Sequence, residues 1–121
     1  MEVHQYLGCG FVEPVYQDAL EIELRLRGIP FQREEEHTII YKEITLRTKY
    51  KPDYICFGDI VVELKALGAI RNNEEMQTLN YLKASGLIVG LLLNFGTTSL
   101  EYKRYVWNDR WGTPKNHGAT Q

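Results

Sequence analysis

The 121-residue sequence predicts an α/β protein, a mixed β-sheet flanked by helices with its elements in the order αβββαββ. Three observations carry that expectation. Two segments repeat apolar residues at helical spacing and end in glycine, segments of strand composition separate them, and an unbroken apolar run near residue 90 suits a strand covered on both faces. Hydrophobic residues make up 44% of the chain and charged residues 25%, enough apolar material for the core of one domain.

The first helix is expected from Val12 or Pro14 to Arg27. Pro14 suits a first turn, where its missing N–H costs nothing. Val15, Ala19, Ile22 and Leu26 recur on one face, and Gly28 followed by Ile29-Pro30 ends the helix. Thr38 to Tyr41 reads as a strand and Lys42-Glu43 as a turn. Ile44 begins a second strand continuing towards Phe57, in which Pro52 marks an edge, a bend or a bulge. Phe57-Gly58-Asp59 reads as a hairpin turn into a buried strand from Ile60 to Ala66. The second helix is expected from Glu74 to Ala84, capped by Asn72 or Asn73, stopped by Gly86, with Met76, Leu79 and Leu82 at its apolar positions. Leu87 to Phe95 and Leu100 to Trp107 supply the last two strands. Residues 1–111 are thus read as a single domain, and the polar, breaker-rich residues 112–121 as a flexible C-terminal tail.

Charge and cysteine content narrow the function. The net charge is −2, against a protein that coats nucleic acid through bulk electrostatics. Residues 1–46 hold nine acids and four bases, and residues 47–121 seven acids and ten bases, so the second half leaves room for a local polyanion contact. Cys9 and Cys56 form no CxxC, arguing against a disulfide scaffold or a zinc ribbon, and both read as small buried residues. No apolar run is long enough to span a bilayer, and Met1-Glu2-Val3-His4-Gln5 is not a signal peptide, so no membrane association and a cytoplasmic location are expected. His4, His37 and His117 have no partner at ligand spacing.

The informative residues are charges on a strand that ought to be apolar. Glu63 and Lys65 stand two apart and therefore share a face, where charge is costly unless paired, hydrated or coordinated. A two-residue turn at Gly58-Asp59 would set Asp53 opposite Leu64, on the other face. A three-residue turn at Phe57-Gly58-Asp59 sets it opposite Glu63 and keeps Val62 and Leu64 together on the apolar side, and this register is expected. Two carboxylates that close repel unless a cation lies between them, and Mg²⁺ suits one or two protein carboxylates completed by water and phosphate oxygens. With Lys65 to offset charge building in a transition state, the set describes phosphodiester hydrolysis. A structural Glu–Lys pair at a sheet edge explains the spacing equally well.

Other residues admit two readings each. Gln77 and Tyr81 lie one turn apart and point either to the charged strand or to solvent. Glu13 follows Gly10 by three and either joins the site or favours the positive helix start. Arg47, Lys49 and Lys51 alternate towards Asp53, as a basic track for phosphates or as a solvated strand face. Tyr102, Tyr105, Trp107 and Trp111 read as core or interface residues.

The run Leu7-Gly8-Cys9-Gly10-Phe11-Val12-Glu13-Pro14-Val15-Tyr16 resembles the signature of the GxxExxY proteins, met by Gly10, Glu13 and Tyr16. That family lies within the PD-(D/E)XK nuclease superfamily, which has a restriction-endonuclease-like core. The resemblance continues through Pro52-Asp53, Glu63-Leu64-Lys65, Gln77-Thr78-Leu79-Asn80-Tyr81 and Gly90-Leu91-Leu92-Leu93-Asn94-Phe95-Gly96, over about residues 3–107. It implies a metal-dependent nuclease that hydrolyses phosphodiester bonds of DNA, or of RNA, with a metal-activated water. Asp53 and Glu63 match the ligands of Mg²⁺ or Mn²⁺, Lys65 the catalytic lysine, Glu13 the helix-borne acid that assists, and Gln77 and Tyr81 a Gln-x-x-x-Tyr pair that holds substrate. A catalytically silent nucleic-acid-binding or protein-interaction module on the same fold is the alternative. Similar proteins carry more helix upstream of Gly8-Cys9-Gly10, so a homodimer or protein partner covering Val3 and Tyr6 is a further expectation.

Overall fold

A computed structural model describes residues 1–107 and the strand Lys115–Thr120, excepting that strand's side chains. Its core is a mixed sheet with strands in the order β1-β4-β5-β6-β7-β8. These are β1 (Phe31–Arg33), β4 (Tyr54–Cys56), β5 (Ile60–Lys65), β6 (Val89–Asn94), β7 (Glu101–Val106) and β8 (Lys115–Thr120). β5 and β6, joined through helix α3 (Asn72–Ser85), run parallel, and every other neighbouring pair runs antiparallel. A separate two-stranded ribbon, β2 (Ile40–Tyr41) and β3 (Ile44–Thr45), stands outside the sheet.

Helices cover the sheet on two faces. α1 (Glu2–Leu7) and α2 (Glu13–Leu26) pack on the side of Val62, Leu64 and Leu93, where Val3, Tyr16, Leu20, Leu24, Tyr54 and Phe95 complete the larger core. α3 packs on the other side, where Leu82 meets Val61, Leu92 and Tyr105. Gly90 allows that approach, since a Cβ there would come within 3.1 Å of Thr78 and 3.2 Å of Leu82.

Several sequence expectations are corrected. The buried stripe of α2 is Tyr16, Leu20 and Leu24, while Ile22 and Leu26 of the expected stripe are exposed. Both stripes have helical spacing. Tyr16 decides between them, because its ring stacks on Phe95 at 4.6 Å and its hydroxyl donates to Gly8 O at 2.6 Å. On α3, Thr78 is buried and Met76 exposed. The strand expected from Ile44 towards Phe57 stops at Thr45, and only the isolated bridge His37↔Tyr50 interrupts the irregular chain before β4. Pro52 cannot donate to a ladder there. α1 and β1 are additional to the expected elements. The tail expected over residues 112–121 instead contributes β8, which continues the sheet by pairing with β7. Trp111, with residues 112–114 and 121, lies outside the described residues. Cys9 is exposed rather than buried, because it sits in the turn between α1 and α2. Near the N-terminus Val3 is buried in the core, whereas Tyr6 is exposed at the edge of a groove it shares with Leu7, Ala19 and Ile22. No helix among the described residues is long and apolar enough to cross a membrane.

Candidate active site

The site forms where β4 parts from β5. Their ladder runs from Cys56↔Ile60 to Tyr54↔Val62, with residues 57–59 as a three-residue turn. Phe57 and Gly58 take the left-handed conformation in it, at φ 55° and 71°. Carrying that register one step further sets Asp53 opposite Glu63, as the odd-length turn requires. Backbone bonds fix the pair. Leu64 N donates to Asp53 Oδ2 at 2.7 Å, and Asp53 N donates to Glu63 Oε1 at 3.3 Å.

β5 is central, so Glu63 is only 5% exposed although it carries a carboxyl. Burial first, and then the facing Asp53, push the Glu63 carboxyl up to about 9. The two carboxyl groups share a hydrogen bond, and Asp53 is also raised by burial, with the Leu64 N–H working against the rise. Both shifts favour a proton shared within the pair.

Lys65 follows on the same face of β5 and lies within electrostatic reach of both acids, whose values it lowers. Glu13, in the first turn of α2, feels both Lys65 and Asp53; burial raises its carboxyl, Lys65 opposes the rise and Asp53 adds to it. From the opposite side α3 presents Tyr81, raised first by burial and then by Glu63. Its hydroxyl accepts a bond from Gln77 Nε2 at 3.1 Å, and its ring stacks on Tyr50 at 4.9 Å. A cleft of about 520 Å³ opens beside Lys65 and is lined by Asn73, Met76, Gln77, Asn80 and Tyr81. Glu13, Asp53, Glu63, Lys65, Gln77 and Tyr81 thus meet around one end of β5.

The basic residues are less ordered. Arg47, Lys49 and Lys51 are exposed but lie on irregular chain, not on the alternating strand expected of them. Lys49 and Lys51 both reach Glu36, at 3.7 Å and 3.5 Å.

Sequence reasoning missed Gln17. Its Nε2 donates to Asp53 Oδ1 at 2.8 Å, and its backbone carbonyl accepts from Tyr54 Oη at 2.5 Å, so one residue of α2 holds both the acid and the first residue of β4. The available signal was the spacing of four from Glu13, which puts both on one face of the helix. Asn94 was also overlooked as a determinant. Fully buried at the end of β6, it accepts from Leu67 N and Gly96 N and donates to Leu67 O and Glu101 Oε1. Phe95 N meanwhile donates to Lys65 O at 2.8 Å, so the exit of β5 is held from β6.

The donor chemistry fits a small hard cation. Among the described residues no three or more His, Cys, Asp or Glu side chains form a ready metal cage. A magnesium-type ion does not need one, since it takes one or two carboxylates and keeps water and phosphate oxygens as its other ligands. Two buried acids facing each other are what such a charge would relieve.

A mixed sheet with helices on both faces is a restriction-endonuclease-like fold, and the acid pair and the lysine stand where its strands β4 and β5 part. The family model of the PD-(D/E)XK nuclease superfamily matches residues 1–105, and the chain belongs to that superfamily. No curated protein and no solved structure matches it significantly.

Proposed function

We propose that the protein is a metal-dependent nuclease hydrolysing phosphodiester bonds of DNA or of RNA. The observation that carries the reading is the convergence of Asp53, opposite Glu63 in register, with Lys65 two residues further along the same face. Asp53 and Glu63 would hold Mg²⁺ or Mn²⁺, which when bound supplies Lewis-acid polarisation and a more acidic water. The Lys65 ammonium lies where it can orient the attacking water and balance charge gathering on the phosphoryl oxygens. Water adds to phosphorus, the P–O bond to the leaving oxygen breaks, and that oxygen takes up a proton.

Glu13 sets the local field at Lys65, and Gln77 with Tyr81 hold substrate along the cleft. Arg47, Lys49 and Lys51 contact phosphates, a role supported by their exposure and by the weakness of the surface pairs with Glu36 that phosphate would replace. Gly10, Glu13 and Tyr16 support a place among the GxxExxY proteins.

The test is cleavage of labelled DNA and RNA by the purified protein. Mg²⁺ or Mn²⁺ should support cutting, chelator should abolish it, and Lys65→Ala should lower the rate by about 10²-fold or more. A Lys65→Ala variant as active as the parent removes the assignment of that lysine. Salt-sensitive binding in chelator with no cleavage in either metal would instead identify a silent nucleic-acid-binding module.

A further inference from the structure

The ribbon formed by β2 and β3 has no role in the core or at the acid pair. Its base is closed by two hydrogen bonds, His37 N to Tyr50 O at 2.8 Å and Tyr50 N to His37 O at 3.0 Å. Further out Leu46 N donates to Ile39 O, Ile40 pairs with Thr45, and Tyr41 pairs with Ile44. Lys42 and Glu43 turn the chain at φ 47° and 67°. Strand alternation then puts Ile39, Tyr41, Ile44 and Leu46 on one face. Tyr41 is 59% exposed and Ile44 66%, and neither core cluster among the described residues includes any of residues 38–49. A two-stranded ribbon with nothing on its apolar face is marginal in water.

Two features indicate what covers it. The first is charge. Residues 37–51 carry Lys42, Arg47, Lys49 and Lys51 against the single acid Glu43, a local balance of +3 that Glu36, just before the base, offsets in part by pairing with Lys49 and Lys51. Lys42 lies over the Tyr41 ring at 5.5 Å, at the tip itself, and the pairs of Lys49 and Lys51 with Glu36 are exposed ones that phosphate can replace. The second is continuity with the candidate site. Tyr50, at the base, stacks on Tyr81, whose hydroxyl feels Glu63 and Asp53. From that base to the turn at Lys42 is five residues, at most about 17 Å of extended chain.

We infer that this arm is a wedge for duplex nucleic acid: the Tyr41–Ile44 pair enters a groove while the basic segment that follows β3 tracks the phosphates. Apolar side chains on a β-ribbon partially unstack a base step and bend the duplex, which lets more of the strand reach the protein. The inference rests on the nuclease reading for the position of the scissile phosphate, and it narrows the substrate class to double-stranded nucleic acid.

Binding of a fluorescein-labelled DNA duplex to the full chain in chelator tests the arm without turnover. The double variant Tyr41→Thr, Ile44→Thr keeps strand propensity and should bind at least about tenfold more weakly than the parent, with an unchanged salt slope. Its thermal midpoint should match the parent's, because the arm joins no core. Tyr41→Trp should bind within about twofold of the parent and show an emission change on adding duplex that the parent lacks. Equal affinity of the Thr variant, no indole response, or no duplex binding by the parent overturns the wedge. So does a parent dimer that the Thr variant dissociates, which would make a second copy the occupant. A small chromogenic phosphodiester, too short to reach the arm, separately tests the metal centre of the parent in Mn²⁺. Its hydrolysis supports the nuclease reading whatever the arm does.

Discussion

Gln17 on α2 and Asp53 at the start of β4 are joined by a 2.8 Å hydrogen bond, Nε2 to Oδ1, across the boundary between helix layer and sheet. The bond leaves Asp53 one orientation, with Oδ2 held by Leu64 N and the remaining lone pairs towards Glu63. An acid that must bind a cation gains from being fixed before the ion arrives.

Gln17→Leu keeps the volume and removes that donor. Mn²⁺ affinity, measured by titration calorimetry, should fall by about 10–100-fold, while Gln17→Glu should not restore it because a second acid repels the first. Unchanged affinity in Gln17→Leu would mean that Leu64 N alone orients Asp53.

Glu63 gives a pH dependence of stability. Its folded value of about 9 lies above the ordinary 4.5, so the protonated carboxyl favours the folded state. That contribution is complete below 4.5 and is lost as pH rises through about 9. In chelator, the unfolding free energy in urea should drop between about pH 6 and pH 8, by up to about 1.4 kcal/mol per pH unit. Glu63→Gln should flatten the profile, and parallel profiles would show that another group sets the slope. Divalent binding should strengthen over the same interval, since the ion competes with the proton.

Tyr16 acts through two atoms of the preceding turn, donating to Gly8 O at 2.6 Å and accepting from Phe11 N at 3.2 Å. Tyr16→Phe should lower the unfolding free energy by about 1–2 kcal/mol without altering Mn²⁺ affinity. A stability equal to the parent's would show that the ring stack on Phe95 carries its whole effect.

Asn94 offers the sharpest structural test. Asn94→Ala strands partly buried groups of Leu67 and Gly96 and should cost about 1–3 kcal/mol in denaturant unfolding. Gly96→Ala should be comparably damaging, because the new Cβ would stand 2.2 Å from Leu67 O. Loss of less than about 0.5 kcal/mol in Asn94→Ala would mean that water replaces the amide.

Much of the site was legible because strand alternation is strict. Once the turn at residues 57–59 has odd length, parity alone brings Asp53 to the face of Glu63 and Lys65, and the apolar partners Val62 and Leu64 require that choice. The pairing of Gln77 with Tyr81 follows in the same way from helical pitch. Parity failed at residues 46–51, where no continuous ladder exists to enforce it. The face of α2 was ambiguous because Val15, Ala19, Ile22 and Leu26 make as good a helical stripe as Tyr16, Leu20 and Leu24.

Local periodicity and turn chemistry by themselves determined the helix after Val12, the buried strands and the register of the acid pair, since each depends on residues close along the chain. They found the second helix but not its start, which Arg71 caps in place of Asn72 or Asn73. Tertiary packing decided which side of α2 is buried, that Gln17 grips an acid 36 positions away, and that Asn94 holds the exit of β5. Those contacts are short in space and long in sequence. No spacing rule reaches across them, because they exist only after two layers have docked.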